Sequence, residues 1–420
     1  MSKEIEVYNT YFGDCIILKD KDDGSNLLVD FGIHYFSDVS AKYGERSDLT
    51  DKIANDICSR YSDGDISLLI THFHEDHISG LIDMNKSAQC KYKGLFKNIY
   101  IANIWNNPFA VASNILEELL LEIEMKKCGL PRTPAKLFDV LYFLCQNLSS
   151  VKLLSRGVTF ENDKYITLWP ADDVHENHIS EIIRGLKLPS EFEGKLLALS
   201  EIICIFVKRE LLGYERFNEP TDRLEYEKLE VRMDENDNSD FNDNNKYEQR
   251  IEDMRIIYES LSEDIYINWG EVEQDINVQI RKLNALNHEY NIVFQNIKNG
   301  DENILFTGDV EVAQMKIIEK AKDIELHEHF KYIKIPHHGT QRHYFDYSKY
   351  TPQNVIITNG RVNTKYSDSY KICKEYGTLN ATFLCTNSNN CCNCSGTCSL
   401  AMSKCAIGRK IVYSKLFETI

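Results

Sequence analysis

The segment "LLITHFHEDHISGL", which runs from Leu68 to Leu81, decides the fold of this chain. It starts with an apolar run of strand length, Leu68 to Ile70, and the hydrophobic residues after His77 return at helical spacing. The residues between these two patterns are therefore predicted to form a strand-to-helix turn. Side chains in such a turn are held by a rigid scaffold and remain accessible, as binding residues usually are.

This turn carries the ligand-type side chains His72, His74, Asp76 and His77. Imidazole and carboxylate groups at fixed positions suit zinc or a similar divalent ion. Because residues two apart point the same way, His72 and His74 suit one ion and leave Asp76 and His77 for a second. The simpler alternative is a helix cap at Asp76, but a cap needs one such residue and not four. The turn therefore predicts a metal site.

Two further hydrophobic strands end in residues of the same kinds. "ILFTGD" ends at Asp309, and "IKIPHHG" contains His337 and His338. Taken singly, the first is compatible with an ordinary Gly-Asp turn and the second with a structural pair of histidines. One sheet can bring the ends of its strands to a common edge. We therefore expect the three motifs to share one site.

The composition is that of an ordinary globular protein, with 420 residues, 43% hydrophobic and 27% charged. No run approaches the roughly 20 apolar residues of a membrane span, and the N-terminus has no apolar signal core. We therefore expect a cytoplasmic protein with no membrane partner. The formal charge of −17 argues against a broad basic surface for nucleic acid, although metal ions can supply positive charge locally.

Strand and helix patterns divide the chain. Strand patterns fill the first hundred residues and the region after about residue 284, and helical patterns lie between them. We predict a split α/β domain over 1–107 and 284–420, with helical insertions at 108–150 and 172–283. Within the second insertion, 234–246 is acidic, rich in Asn and nearly devoid of apolar residues, which predicts a flexible loop.

Most of the thirteen cysteines fall into two populations. Scattered cysteines in mostly apolar surroundings are predicted to be reduced, and these are Cys15, Cys58, Cys90, Cys128, Cys145 and Cys204. A Cys-rich loop at 386–408 contains Cys391, Cys392, Cys394, Cys398 and Cys405. Four thiolates at short spacing can close a structural zinc site, but these cysteines do not form the two CxxC pairs of a standard site. A loop with reduced, unligated thiols is the alternative.

The motifs follow one another as a strand, HxHxDH, a strand ending in GD, and a strand ending in PHHG. This order resembles the metallo-β-lactamase fold superfamily, in particular its ComEC-like hydrolase branch without membrane segments. The opening "YFGDCIILKDKDDGSNLLVDFG" is similar to the first hairpin of that branch, and so are "LWP" and "VIITNGRVN" further along. The likeness covers about residues 5–105 and 285–385. It implies a four-layer αββα sandwich with helical insertions.

The resemblance also implies a set of metal ligands. His72 and His74 would hold one divalent ion. Asp76 and His77 would hold the second together with one histidine of the PHHG turn, His337 or His338, and Asp309 would lie between the ions. Asp14 and Asp30 would orient the bound imidazoles.

Two positions depart from the pattern of that branch. The usual third histidine of the first ion falls in "LNHEYNIVFQ", where Asn287 occupies the expected place. The neighbouring His288 is then either an extra ligand or a surface histidine. A Gly-His-Pro that the branch tends to carry after the "NG" strand is replaced here by "KYSDSY", which puts one substrate contact in doubt.

The resemblance implies a metal-dependent hydrolase, and a phosphodiesterase or nuclease with a phosphodiester or nucleotide substrate is the leading expectation. Zinc is the expected ion, with manganese as the alternative. A metal-bound hydroxide would attack, with Asp76 and Asp309 as the catalytic carboxylates. Lys334, Arg342 and His343 could supply phosphate contacts, although plain surface charge is the favoured interpretation of these three residues. Two other functions stay open: hydrolysis of another bond (ester, lactone or phosphocholine), and a non-catalytic scaffold whose helical insertions bind a protein partner.

Overall fold

The computed structural model describes residues 3–10, 12–34, 46–61, 64–86, 94–127, 136–147, 151–171, 178–212, 243–272, 276–359 and 372–386. The chain divides into two compact units. Unit 1 comprises Met1–Asn103, Lys152–Asp173 and His288–Ile420, and unit 2 comprises Ile104–Val151 and Val174–Asn287. The two segments that the sequence predicts as insertions supply the helices of unit 2.

The strands of the described ranges form two mixed sheets. In the first sheet the strands follow in chain order: β1 (Lys3–Val7), β2 (Ile16–Asp20), β3 (Asn26–Val29), β4 (Ile66–Ile70), β5 (Phe96–Ala102) and β6 (Val151–Leu154). The first three strands are antiparallel neighbours, whereas β3, β4 and β5 are parallel. Every residue of β4 is buried, as in a parallel strand covered on both faces.

The second sheet has the order β13-β12-β11-β10-β9-β8-β7. Its strands are β7 (Thr159–Phe160), β8 (Tyr165–Trp169), β9 (Val293–Asn296), β10 (Ile304–Phe306), β11 (Tyr332–Lys334), β12 (Asn354–Ile357) and β13 (Thr382–Cys385). From β10 to β13 neighbouring strands are parallel, and from β7 to β10 they are antiparallel. Because β10 and β11 are parallel neighbours, Asp309 and the PHHG turn that follow them lie at the same edge of this sheet.

The α-helices of the described ranges are α1 (Arg46–Arg60), α2 (Glu75–Lys86), α3 (Pro108–Lys127), α4 (Lys136–Cys145), α5 (His178–Gly185), α6 (Ser190–Phe206), α7 (Asp243–Ile267), α8 (Trp269–Val272), α9 (Ile276–His288) and α10 (Val312–Lys320). Within unit 2, α3 packs against α6 and α7, and α4 packs against α7. Within unit 1, Met315 and Ile318 of α10 join the core of the second sheet, next to Leu305 and Ile333. None of the helices in these ranges has the length and hydropathy of a membrane span.

The mixed sheets and helices confirm the α/β class predicted from the sequence. One helix was missed: α1 lies within the first hundred residues, where we expected strands apart from the helix after His77. Its buried side chains Leu49, Ile53 and Ile57 recur every four residues, which is helical spacing, so the pattern was present in the sequence. A 3₁₀ turn at Lys374–Thr378 lies between β12 and β13.

Several predictions fall wholly or partly outside the described residues. The Cys-rich loop is one, because only Thr386 of its range is described, and "KYSDSY" is another. Of the predicted acidic loop, 234–242 lies outside the described residues, and 243–246 belongs to α7, so the loop prediction is wrong for 243–246. Cys15, Cys145 and Cys204 are free and buried as predicted, whereas Cys58 is disulfide-bonded, which corrects that prediction.

Candidate metal centre

The HxHxDH turn joins β4 to α2 and is held by close backbone packing. Asp14 N donates to Asp76 O at 2.9 Å, and Phe31 N donates to His77 O at 2.9 Å. Gly32 makes this approach possible, because a Cβ at that position would overlap the backbone of Asp76. The Gly13-Asp14 and Asp30-Phe31-Gly32 segments therefore fix the start of α2, which carries Asp76 and His77.

Three imidazoles form the first ligand group: His72, His74 and His288. His74 Nδ1 lies 3.1 Å from His72 Nε2 and 3.2 Å from His288 Nε2. A tetrahedral zinc ion with ligands at about 2.0–2.1 Å spaces its nitrogens by about 3.3 Å, so these distances fit one ion. Burial lowers the pKa of His72 well below its usual value and that of His288 to about 4, which keeps both rings neutral and able to ligate.

The second ligand group contains two histidines and two carboxylates: Asp76, His77, Asp309 and His338. His338 Nε2 lies 2.9 Å from Asp76 Oδ2, and His77 Nε2 lies 3.3 Å from Asp309 Oδ2. Among the described residues, His77 Nε2 and Asp309 Oδ2 are buried without a hydrogen-bond partner. Such orphaned atoms are costly unless a further group satisfies them, and a divalent cation does so. The donors of both groups therefore fit metal ions.

The two groups are neighbours within unit 1. The rings of His72 and His77 have centroids 4.1 Å apart. Asp309 also approaches His337, whose Nδ1 lies 2.8 Å from Asp309 Oδ2 without the geometry of a hydrogen bond. The HxHxDH turn, Asp309 and the PHHG turn, which are far apart in the sequence, therefore lie next to one another in the structure.

The ligating histidines have partners behind them. His77 Nδ1 lies 2.7 Å from Asp30 Oδ2, and Asp30 also accepts bonds from Thr71 N and Thr71 Oγ1, both at 2.7 Å. This carboxylate directs the proton of His77 to Nδ1 and leaves Nε2 to face Asp309. Burial alone would lower the pKa of His77, but the carboxylates of Asp309 and Asp30 outweigh it and raise that pKa well above its usual value.

His338 is held by a longer chain of contacts. Its Nδ1 lies 2.9 Å from Thr358 Oγ1, which donates to Asp14 Oδ1 at 2.5 Å. Asp14 Oδ2 in turn lies 2.5 Å from the buried ammonium of Lys334. Burial alone would lower the pKa of His338, but Asp309, Asp14 and Asp76 outweigh it and raise that pKa to about 9.

The PHHG turn separates the roles of its two histidines. Both have left-handed backbones, with φ of 45° at His337 and 55° at His338, a strained conformation that is enriched at functional sites. His338 joins the second ligand group. His337 stacks on His343 with centroids 4.1 Å apart and planes 10° from parallel. His288, His337 and His343 also lie close together, but the stacked rings of the last two do not aim their lone pairs at one point.

The structure answers the question that the sequence left open at 287 and 288. Asn287 belongs to unit 2, where its Oδ1 accepts from Ser113 Oγ at 2.6 Å and its Nδ2 donates to Glu117. It has no part in the ligand group, contrary to our expectation. His288 is fully buried, so the surface alternative is wrong, and its ring lies against His74.

The interpretation of Lys334, Arg342 and His343 as surface charges is only partly correct. Lys334 and His343 are buried, so surface charge is wrong for both. Arg342 is half exposed, and its Nη2 donates to Glu311 Oε1 at 2.9 Å. Glu311 was missed by the sequence analysis. The same oxygen lies 3.4 Å from His288 Nδ1 and 3.2 Å from His343 Nε2, so Glu311 is the carboxylate behind His288.

No protein-family model matches the chain, and no curated protein matches it. The function must therefore be argued from the site itself.

Proposed function

We propose that this chain is a metal-dependent hydrolase of the metallo-β-lactamase type, with two divalent ions and a phosphodiester substrate. The observation that carries the proposal is the pair of adjacent ligand groups, one of three imidazoles and one of two imidazoles and two carboxylates. The four-layer αββα arrangement of unit 1 is part of the same proposal, and the two mixed sheets support it. Zinc suits the first group best, because all three of its ligands are nitrogen atoms.

The charges of the site favour two ions and an anionic substrate. Four carboxylates, those of Asp14, Asp30, Asp76 and Asp309, and the ammonium of Lys334 lie around the ligand groups. With neutral histidines this set has a net charge of about −3, since Glu311 is paired with Arg342. One divalent ion would leave the site negative and repel an anion. Two ions make it positive by one charge, which a phosphodiester neutralises.

Divalent ions in such a pair of sites activate water at neutral pH and polarise the bond under attack. The chain's own part is orientation and proton transfer. The side chain of Asp76 is 14% exposed, whereas that of Asp309 is fully buried. Water and a leaving group therefore reach Asp76 only, and we assign the proton transfer to its carboxylate. His338 Nε2 lies 2.9 Å from Asp76 Oδ2, and both atoms belong to the second ligand group.

Arg342 supports a phosphate substrate over a neutral one. Its side chain is 48% exposed, and one Nη2 contact holds it to Glu311, which lies behind His288. A guanidinium has five N–H donors, so several remain for phosphoryl oxygens. We therefore assign Arg342 to substrate binding, in place of the surface-charge interpretation that the sequence favoured.

The experiment has a metal arm and a substrate arm. Elemental analysis of the purified protein should give two divalent ions per chain. With zinc or manganese, bis(p-nitrophenyl) phosphate should be cleaved, whereas p-nitrophenyl acetate and a lactone should be poor substrates. Arg342→Gln should raise KM for the phosphodiester without changing KM for the neutral ester. Faster cleavage of the ester or lactone would move the function to another bond, and two bound ions with no cleavage of any substrate would favour the scaffold alternative.

A further inference from the structure

Lys334 is a buried cation behind the second ligand group. It ends the apolar strand β11 and is 1% exposed. Its Nζ lies 2.5 Å from Asp14 Oδ2, donates to Gly308 O at 3.1 Å, and lies 3.6 Å from Asp309 Oδ1. A buried ammonium is costly unless its donors are satisfied, and here three oxygens surround it. Nothing in the proposed reaction so far uses this group.

Of the two carboxylates beside Lys334, only Asp309 keeps an oxygen that can face an ion. Asp309 Oδ1 faces the ammonium and accepts from His337 N at 3.1 Å, so this oxygen is occupied. Asp309 Oδ2 points the other way, towards His77 Nε2 at 3.3 Å. Asp14 is occupied on both oxygens, by Lys334 on Oδ2 and by Thr358 on Oδ1.

Behind His77 lies a further set of ligand-type atoms, separate from the two ligand groups and formed by Asp14, Asp30 and His77 Nδ1. In the structure the atoms of this set already have hydrogen-bond or ion-pair partners. Lys334 takes Asp14 Oδ2, and Asp30 Oδ2 lies 2.7 Å from His77 Nδ1. Metal ions are therefore directed to the Nε2 side of His77, where the second ligand group lies.

We propose that Lys334 is a positioning residue of the metal centre, whose ammonium makes Asp309 present only Oδ2 to the ions and keeps Asp14 behind His338. A positive charge beside a cation site opposes metal binding by Coulomb repulsion, so Lys334 does not serve to raise affinity. Its role is geometric, and a misplacement of about 1 Å in such a site can cost about 10²-fold in rate. The expected effect of Lys334 on turnover rests on the proposed function. Its effect on how Asp309 and Asp14 are oriented does not depend on catalysis.

The test compares Lys334→Met, which removes charge and donors, with Lys334→Gln, which removes the charge and keeps N–H donors. Lys331→Met is the matched control, because Lys331 pairs with Glu302 away from the site. Metal affinity is measured by titration against a chromogenic chelator. Coordination is read from the visible spectrum of the cobalt(II)-loaded protein, whose bands follow coordination number and ligands.

Both Lys334 variants should bind two ions at least as tightly as the parent, because a repelling charge is gone. Their cobalt spectra should change, since Asp309 can turn and offer both oxygens, and turnover should fall about 10²-fold with KM little changed. Lys331→Met should match the parent in all three measurements. If Lys334→Met fails to fold, Lys334→Gln decides, because it retains donors for Asp14 and Gly308.

Three results would overturn the inference: weaker binding of both ions together with lower stability, an unchanged cobalt spectrum, or failure of both variants to fold. Each would make the role of Lys334 purely structural or absent. If the parent cleaves no phosphodiester, the proposed function fails, while the affinity and spectral measurements still decide the role of Lys334.

Discussion

Asp30→Asn tests most directly whether the carboxylates behind the histidines control metal binding. Asp30 has a left-handed backbone with φ of 56°, and asparagine tolerates that conformation as well as aspartate does. The amide has the same shape and can still accept from Thr71 N. Its NH₂ group then replaces Oδ2, the oxygen that lies 2.7 Å from His77 Nδ1. A donor at this place forces the proton of His77 onto Nε2, the nitrogen that ligates.

The expected loss of metal affinity follows from that change in the tautomer of His77. Removing the carboxylate partner of a metal-bound histidine typically lowers metal affinity by about 10- to 100-fold, which is about 1.4 to 2.7 kcal/mol. We expect the upper end of that range here, because both His77 and Asp30 are fully buried and no water can replace the lost acceptor. The loss should fall mainly on the second ligand group, since His288 of the first group has a partner that does not contact Asp30, namely Glu311.

The assay is a competitive zinc titration in which the two ions bind in separate steps. Glu311→Gln is the mirror variant and should weaken the ion held by His288 while leaving the other unchanged. Asp323→Asn is the surface control, because Asp323 is 64% exposed and pairs with Arg156. If Asp30→Asn binds both ions with the parent's affinity, the proposed link between Asp30 and the ligating state of His77 is wrong.

Three further predictions follow from the site. Asp309→Asn should reduce phosphodiester turnover below detection in a steady-state assay while circular dichroism stays that of the parent, and normal turnover would refute its place between the ions. Added zinc at 100 times its dissociation constant should raise the free energy of unfolding by about 2.7 kcal/mol per site in urea titrations, and no rise would mean no binding to the folded state. Because the pKa of His338 is raised to about 9, above about 6.5 in an unfolded chain, its contribution to stability is full below pH 6.5 and is lost as pH rises through about 9. Chelator-treated protein should therefore lose thermal stability between these values, and His338→Gln should flatten that slope.

The parts of the site that could be predicted from the sequence are local. His72, His74, Asp76 and His77 stand within one turn, and their residue types alone indicate a ligand set. Asp309 and His338 follow apolar strands, and the parallel pairing of β10 with β11 brings them to one edge as expected. Strand-end motifs work as predictors because the ends of parallel strands meet wherever the intervening chain lies.

The residues that were missed depend on contacts that no local pattern records. Neighbouring helical residues point about 100° apart, so spacing alone does not decide between Asn287 and His288 at the end of α9. Lys334 resembled a surface charge in the sequence. Its pairing with Asp14, which is far away in the sequence, explains why a lysine ends a buried strand. Glu311 gave no signal at all, because an acidic residue just before a helix is common.

These missed residues have a common physical reason for being there. An imidazole ligates through one nitrogen, so something must hold the proton on the other, and the partner must come from an element that the ligand's own turn does not contain. Asp30 does this for His77 and Glu311 for His288, whereas His338 reaches Asp14 through Thr358. Asp14 in turn would be an uncompensated buried charge without Lys334. The candidate ligands therefore follow from the motifs, but the partners that would set their protonation for metal binding follow only from the fold.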